Sequence, residues 1–284
     1  MKLNKDHLRS ILKLAIEEDI GDGDHSSLAC IPGRKRGKSR LLIKEQGIIA
    51  GIEIARMVFD IIDPNLKTEQ YISDGSKVEE GDVAFQVKGK VRSILQAERL
   101  VLNFMQRMSG IATHTSLYAD QLKDLHTKVL DTRKTTPGLR ILEKKAVVLG
   151  GGTNHRMGLY DMIMLKDNHI DFAGGIDKAI RKTLKYLEKK DKFLRIEVET
   201  RSLEEVRKVI RTGGVDRIML DNFSIEDTQK AVEMIEGKFE TESSGNITLN
   251  NIRGYAECGV DYISVGALTH QIKSLDMSLK AIDF

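Results

Sequence analysis

The sequence predicts an α/β protein in two parts, a small α+β region followed by a (β/α) barrel that falls short of eight strands. Three observations carry this. After residue 126, strand-like and amphipathic helical segments alternate regularly, which is the signal for βαβ units around a parallel sheet. Nearly every strand candidate ends in a polar or small residue that a core does not need: Asp131, Lys166, Glu199, Asp221, Ser244-Gly245 and Gly266. In a barrel such ends converge on one mouth, whereas an open sheet concentrates them at one switch point. Before residue 113 the rhythm differs: short strands are punctuated by Asp74-Gly75, Glu80-Gly81-Asp82 and Lys88-Gly89-Lys90.

The elements follow in order. Leu8, Ile11, Leu12 and Ala15 have helical spacing and predict a helix over 6–18. A Gly/Asp-rich loop, Gly21-Asp22-Gly23-Asp24, ends it. Strands are expected at 39–43, 68–72 and 83–87, and a helix over 93–108 presents Leu100, Val101, Phe104, Met105 and Met108 on one face. In the second part the strands are expected at 128–131, 162–166, 194–199, 217–221, 239–243 and 262–266. Helices between them are expected at 139–149, 176–188, 203–211, 225–235 and 249–258. Right-handed crossovers then wind the sheet into a barrel, and six strands make it incomplete.

With 284 residues, the chain is long enough for a sizeable core in one large or two unequal domains. Its apolar content of 40% and charged content of 31% are those of a soluble globular protein. A net charge of +3, with no long basic run, gives no sign of a nucleic-acid partner. The start, Met1-Lys2-Leu3-Asn4-Lys5-Asp6-His7, lacks the apolar core of a signal peptide, and no apolar stretch spans a membrane. Cys30 and Cys258 fit no metal-ligand spacing, so a reduced, cytoplasmic setting is expected.

The chemistry concentrates at the strand ends. Residues 131–140, Asp-Thr-Arg-Lys-Thr-Thr-Pro-Gly-Leu-Arg, put three cations and three hydroxyls on one loop, a composition suited to a small polyanion. Asn154-His155-Arg156 and Lys166-Asp167-Asn168-His169 follow at corresponding places. Arg133, Lys134, His155, Arg156 and Lys166 can bind anions, while Glu199 and Asp221 can hold hydroxyls or Mg²⁺. Small residues at Ser243-Ser244-Gly245 and Ser264-Val265-Gly266-Ala267 let backbone amides approach a phosphate.

Each element also has a bland reading. An Arg-Lys pair in a loop is usually solvated, Asp131 and Asp221 could cap helices, and Lys166 and Glu199 could form a structural ion pair. Gly150-Gly151-Gly152 terminates a helix, and Gly33-Arg34-Lys35-Arg36-Gly37-Lys38-Ser39 is one residue short of a P-loop and precedes a strand. It is the joint placement at successive strand ends that favours the functional reading.

At these residues the chain resembles the quinolinate phosphoribosyltransferase family over nearly its whole length. The resemblance rests on Ala97-Glu98-Arg99, Leu102-Asn103-Phe104, Ser109-Gly110-Ile111-Ala112-Thr113, Asp131-Thr132-Arg133-Lys134-Thr135 and Asn154-His155-Arg156. It continues through Lys166-Asp167-Asn168-His169, Glu197-Val198-Glu199, Leu220-Asp221-Asn222-Phe223, Ser244-Gly245-Asn246 and Ile263-Ser264-Val265-Gly266-Ala267-Leu268-Thr269. Ser26-Ser27 stands where threonines are usual in the family, outside the site.

The resemblance implies an N-terminal α/β sandwich domain over 1–113, joined by the tail 272–284, and an incomplete barrel over 114–271. It implies a homodimer or an assembly of dimers. The implied reaction is quinolinate plus phosphoribosyl pyrophosphate giving nicotinate mononucleotide, pyrophosphate and CO₂ with Mg²⁺, in de novo NAD synthesis. Arg133, Arg156 and Lys166, with His155 and Lys134, would bind quinolinate, and Arg99 would reach the site from the partner subunit. Glu199 and Asp221 would hold the ribose hydroxyls and Mg²⁺, and Ser244, Gly245 and Gly266 would cradle the phosphate. Lys134, Lys166, Glu199 and Asp221 would be catalytic. The nearest alternatives are a relative acting on another acid, such as nicotinate, and a non-catalytic protein that binds a phosphorylated anion.

Overall fold

The computed structural model describes residues 5–282. Two compact units make up the chain. One contains the residues up to Ser116, Thr135–Gly151 and the stretch from Thr269 onward; the other contains Leu117–Lys134 and Gly152–Leu268. The segment Thr135–Gly151, expected within the barrel part, thus goes with the first unit. Met1 to Asn4, read above as a polar start, lie outside the described residues, as do the last two residues of the tail.

The first unit opens with α1 (Lys5–Ile20), α2 (His25–Cys30), β1 (Arg36–Ile43), β2 (Gly47–Ile48), α3 (Ile52–Ile62), β3 (Lys67–Gln70), β4 (Lys77–Val78) and β5 (Val83–Lys90). Then α4 (Val91–Leu122) runs on into the second unit. The second unit begins at β6 (Lys128–Leu130), and α5 (Arg140–Leu149) returns to the first. Next come β7 (Ile163–Leu165), α6 (Asp167–Ala173), α7 (Ile176–Lys190), β8 (Ile196–Thr200), α8 (Leu203–Thr212), β9 (Arg217–Asp221), α9 (Ile225–Ile235), β10 (Glu240–Ser244), α10 (Ile252–Glu257) and β11 (Tyr262–Ser264). The chain closes with α11 (Ala267–His270) and β12 (Met277–Ile282).

The first unit is an antiparallel sheet, in the order β12-β1-β5-β3, covered by helices. Alternation along β1 buries Ser39, Leu41 and Ile43 and exposes Arg36, Lys38 and Arg40. Phe85 on the buried face meets Phe59 of α3 edge-on, with ring centroids 6.0 Å apart. The tail joins this sheet directly, with Leu279 opposite Leu41. Helix α4 is far longer than the expected 93–108: Ser109 and Gly110 do not break it, and Ile111, Ala112 and Tyr118 continue its buried face. Gly110 is where the tail crosses, since a Cβ there would lie 2.2 Å from the carbonyl oxygen of Lys273.

The second unit is a six-stranded parallel sheet in the order β6-β11-β10-β9-β8-β7. From β7 to β11 each strand pairs with the next along the chain, and β11 pairs with β6. Every crossover moves the same way, so right-handed connections place the helices on one side and the sheet curls around the other. The opening lies between β6 and β7, where Thr153 bridges to Leu130. This is the expected incomplete barrel. Among the described residues no helix is long and apolar enough to cross a membrane.

Candidate active site

The barrel strands are buried along their length, yet they carry charges. Alternation explains how. Ile196, Val198, Ile218, Leu220 and Ile263 point towards the helices, while the register puts Glu197, Glu199, Arg217, Met219, Asp221, Glu240, Glu242 and Ser244 on the opposite, inner face. The inner face therefore holds two polar layers. The lower, drawn together by side-chain contacts, contains Glu197, Arg217 and Glu242; the upper, at the C-terminal strand ends, contains Glu199, Asp221 and Ser244.

At the mouth, Lys166 follows β7 and its Nζ lies 2.8 Å from Glu199 Oε2. The ion pair anticipated as the bland alternative is thus present, with the lysine half-exposed and the carboxylate nearly buried. Burial, and then the charge of Glu199, push the Asp221 carboxyl above its ordinary range. Asn222 Nδ2 donates to Asp221 Oδ2 at 2.8 Å. Asn222 and Asn246, both at positive φ, are joined by an Asn246 Nδ2 to Asn222 Oδ1 hydrogen bond of 3.0 Å. A Cβ at Gly245 would lie 2.2 Å from that Oδ1, so glycine is required there by packing alone. Ser244 closes β10 and Gly266 follows β11 by two residues.

The cationic wall is built differently. Arg133 and Lys134 are exposed on the loop after β6, and Lys134 N–H donates to Thr132 Oγ1 at 3.0 Å. Arg156 is half-buried, with Nη1 donating to the Met162 carbonyl at 3.1 Å. Burial and then the nearby Arg133 lower its pKa, so two guanidiniums repel one another at this place. Arg140 heads α5 in the first unit, and its Nε donates to Thr135 Oγ1 at 3.0 Å. Arg99 belongs to the first unit, exposed on α4 in a stripe with Leu95 and Asn103 at i−4 and i+4.

His155 sits lower than sequence reasoning suggested. Its side chain is buried, with Nε2 3.0 Å from Glu197 Oε2 and 3.4 Å from Glu242 Oε2. Nδ1 accepts a 2.6 Å hydrogen bond from the Arg156 N–H, and His155 N–H donates to Asp131 Oδ1 at 2.9 Å. The two carboxylates outweigh burial and push the imidazole up to about 9, whereas a donor pressed against Nδ1 opposes a second ring proton. The contact at Nδ1 decides: the ring proton sits on Nε2, facing the carboxylates. Glu197 is pushed up to about 7, first by burial and then by Glu242, while His155 and Arg217 hold Glu242 low despite its burial.

Several of these residues escaped sequence reasoning. Arg217 and Glu242 fell within the expected strands 217–221 and 239–243 without being singled out, although two-residue alternation was a usable signal. His169 caps α6, accepting from Lys166 N–H at 3.0 Å. Within the first unit, Glu143 fixes the far end of the cationic loop by accepting from Thr136 N–H at 3.1 Å and from Arg107 at 2.6 Å.

Known proteins resemble this chain in sequence and in fold. The family model described as quinolinate phosphoribosyl transferase, C-terminal domain, matches residues 111–280, and that of the N-terminal domain matches residues 24–109. A quinolinate phosphoribosyltransferase [decarboxylating] of Nicotiana tabacum is 48% identical, across 96% of this chain and 82% of the relative. A probable nicotinate-nucleotide pyrophosphorylase [carboxylating] of Bacillus subtilis is 41% identical, across 98% of this chain and 94% of the relative. The crystal structure of NadC from Streptococcus pyogenes superposes with a TM-score of 0.94 at 40% identity, with all of both chains covered. In both sequence and fold, the chain belongs to the quinolinate phosphoribosyltransferase family.

Proposed function

We propose that the protein transfers the phosphoribosyl group of phosphoribosyl pyrophosphate to quinolinate, releasing pyrophosphate and CO₂ and yielding nicotinate mononucleotide for NAD synthesis. The observation that carries this is the pairing of repelling cations, Arg133 and Arg156, with a carboxylate pair, Glu199 and Asp221, on the C-terminal loops and strand ends of one barrel. A dicarboxylate relieves the first repulsion, and a ribose cation or metal relieves the second.

In this reading Arg133, Arg156 and Lys166 bind the two quinolinate carboxylates, with Lys134 beside them and Arg99 supplied by the partner of a homodimer or an assembly of dimers. His155 contributes from beneath. Orientation brings the ring nitrogen to the anomeric carbon. The bond from that carbon to the pyrophosphate oxygen breaks as the bond to nitrogen forms. Glu199 and Asp221 stabilise the positive charge that develops on the sugar. The carboxylate beside the nitrogen then leaves as CO₂, its electron pair stays on the ring carbon next to the cationic nitrogen, and a proton replaces it. Backbone amides around Ser244, Gly245 and Gly266 hold the 5-phosphate.

Mg²⁺ fits this donor set. Asp221 and Glu199 are hard oxygen ligands, burial and then their mutual repulsion raise the Asp221 carboxyl, and Mg²⁺ completes its shell with substrate oxygens and water. When bound it neutralises charge on the leaving pyrophosphate. A cytoplasmic setting remains part of the proposal, supported by Cys30 and Cys258 being unpaired thiols. Incubation with quinolinate and phosphoribosyl pyrophosphate should release CO₂ and form nicotinate mononucleotide. Turnover of nicotinate with none of quinolinate would overturn the choice of acid, and no pyrophosphate release at all would point to a binding protein.

A further inference from the structure

Beneath the mouth, the lower polar layer is an enclosed group of charges. Glu197 and Glu242 have no exposed surface and Arg217 almost none. Arg217 Nη1 lies 2.8 Å from Glu242 Oε2 and 3.9 Å from Glu197 Oε2, Nη2 lies 3.0 Å from Glu240, and the guanidinium stacks 4.0 Å from the centre of the Tyr262 ring. His155, Glu197 and Glu242 have ligand atoms close enough together to hold a metal, but the Arg217 cation already occupies the Glu242 side of the group. A buried ion cluster of this kind adds little net stability over apolar filling, because desolvation offsets the attraction. Its presence calls for another reason.

The contacts of His155 supply one. Two successive backbone N–H groups are held here: that of His155 by Asp131 Oδ1, and that of Arg156, in the next peptide, by His155 Nδ1. The second holds only while the ring keeps its orientation, which Glu197 and Glu242 set from the Nε2 side. The segment carrying Arg156 otherwise has little ladder support. It meets β6 through one bridge, Leu130 to Thr153, at the opening of the barrel. By contrast, Glu242 lies in β10, which is paired on both sides by β9 and β11, so a change of its side chain leaves Ser244 in place.

We propose that Glu242, braced by Arg217, is a positioning residue that acts through the His155 ring to aim Arg156 at the dicarboxylate substrate. The inference rests on the quinolinate reading above. Loss of the carboxylate charge frees the ring, loosens the Arg156 peptide and weakens quinolinate binding, while the phosphoribosyl pyrophosphate side is unaffected.

The test is steady-state kinetics of Glu242→Gln with each substrate varied in turn, alongside the unmodified protein. The KM for quinolinate should rise by about tenfold, the loss expected when one hydrogen-bonded charge is disordered. The KM for phosphoribosyl pyrophosphate should stay within about twofold of normal on the same argument. A general loss of structure would move both constants, so an equal rise in both overturns the proposal, as does an unchanged quinolinate KM. If Glu242→Gln does not fold, Ser264→Ala takes its place, because the Ser264 hydroxyl hydrogen-bonds Glu242. There a rise of about two- to threefold in the quinolinate KM alone supports the proposal, and no change overturns it. An unmodified protein that turns over no quinolinate would overturn the reaction and this inference together. Normal wild-type turnover with a normal variant overturns this inference only.

Discussion

Arg133 is exposed on its loop, and its guanidinium lowers the pKa of Arg156. Two cations held together without an anion cost free energy, and a bidentate carboxylate between them returns it. Replacing Arg133 by alanine should therefore lower kcat/KM for quinolinate by at least about a hundredfold, roughly 3 kcal/mol, with little change in thermal midpoint. Near-normal turnover would place the carboxylate elsewhere. The strand-end residues were legible in the sequence because a polar residue closing an apolar run stands out. Glu197, Arg217 and Glu242 were not legible as a cluster: each lies inside or at the start of a buried strand, and only pairing across β8, β9 and β10 brings them together. Nor was the orientation of His155, which Asp131, Glu197 and Glu242 fix from three separate segments.

At the scale of elements, most of the regular half was readable because its amphipathic helices and strands alternate on one rhythm, although α6 was missed and α10 begins three residues later than expected. The first unit was less so. Helix α3 buries Ile52, Ile54, Ala55, Val58 and Phe59 but lies among short strands and turns, where an apolar run has no clear period. Helix α4 runs past the expected end at 108, although glycine costs about 1 kcal/mol in a helix. Tertiary contact outweighs that here, since Gly110 lets the tail pass and Leu275 N–H reach the Gln106 carbonyl at 3.0 Å. Gly110→Ala sets two effects against each other. Helix propensity favours alanine by about 1 kcal/mol. The 2.2 Å approach of a Cβ to the Lys273 carbonyl is against backbone, which gives way poorly. The clash should win by about 1–3 kcal/mol. Thermal unfolding should show a lower midpoint for the variant; an equal or higher one would mean the tail shifts freely.

The whole molecule takes its form from the direction of winding. Four crossovers of one hand between neighbouring strands, with the last strand paired to the first, leave the sheet nowhere to go but around its charged inner face. That closure sets the upper layer of Glu199, Asp221 and Ser244 at one mouth, and it lies within the second unit. Arg99 does not; it stands exposed on α4 of the first unit. In the proposed homodimer it completes the neighbour's site, and this has a numerical consequence. Arg99→Ala and Lys166→Ala proteins are each expected to be inactive. A mixed dimer has one site that joins an intact Lys166 to the partner's intact Arg99, and one site lacking both. Random exchange makes half the dimers mixed, so equal mixing should restore about a quarter of wild-type activity. Activity should appear only as fast as subunits exchange, which native mass measurement of the mixed dimer follows independently. Mixed dimers without activity would put Arg99 outside the partner's site and return it to the solvated face of its helix.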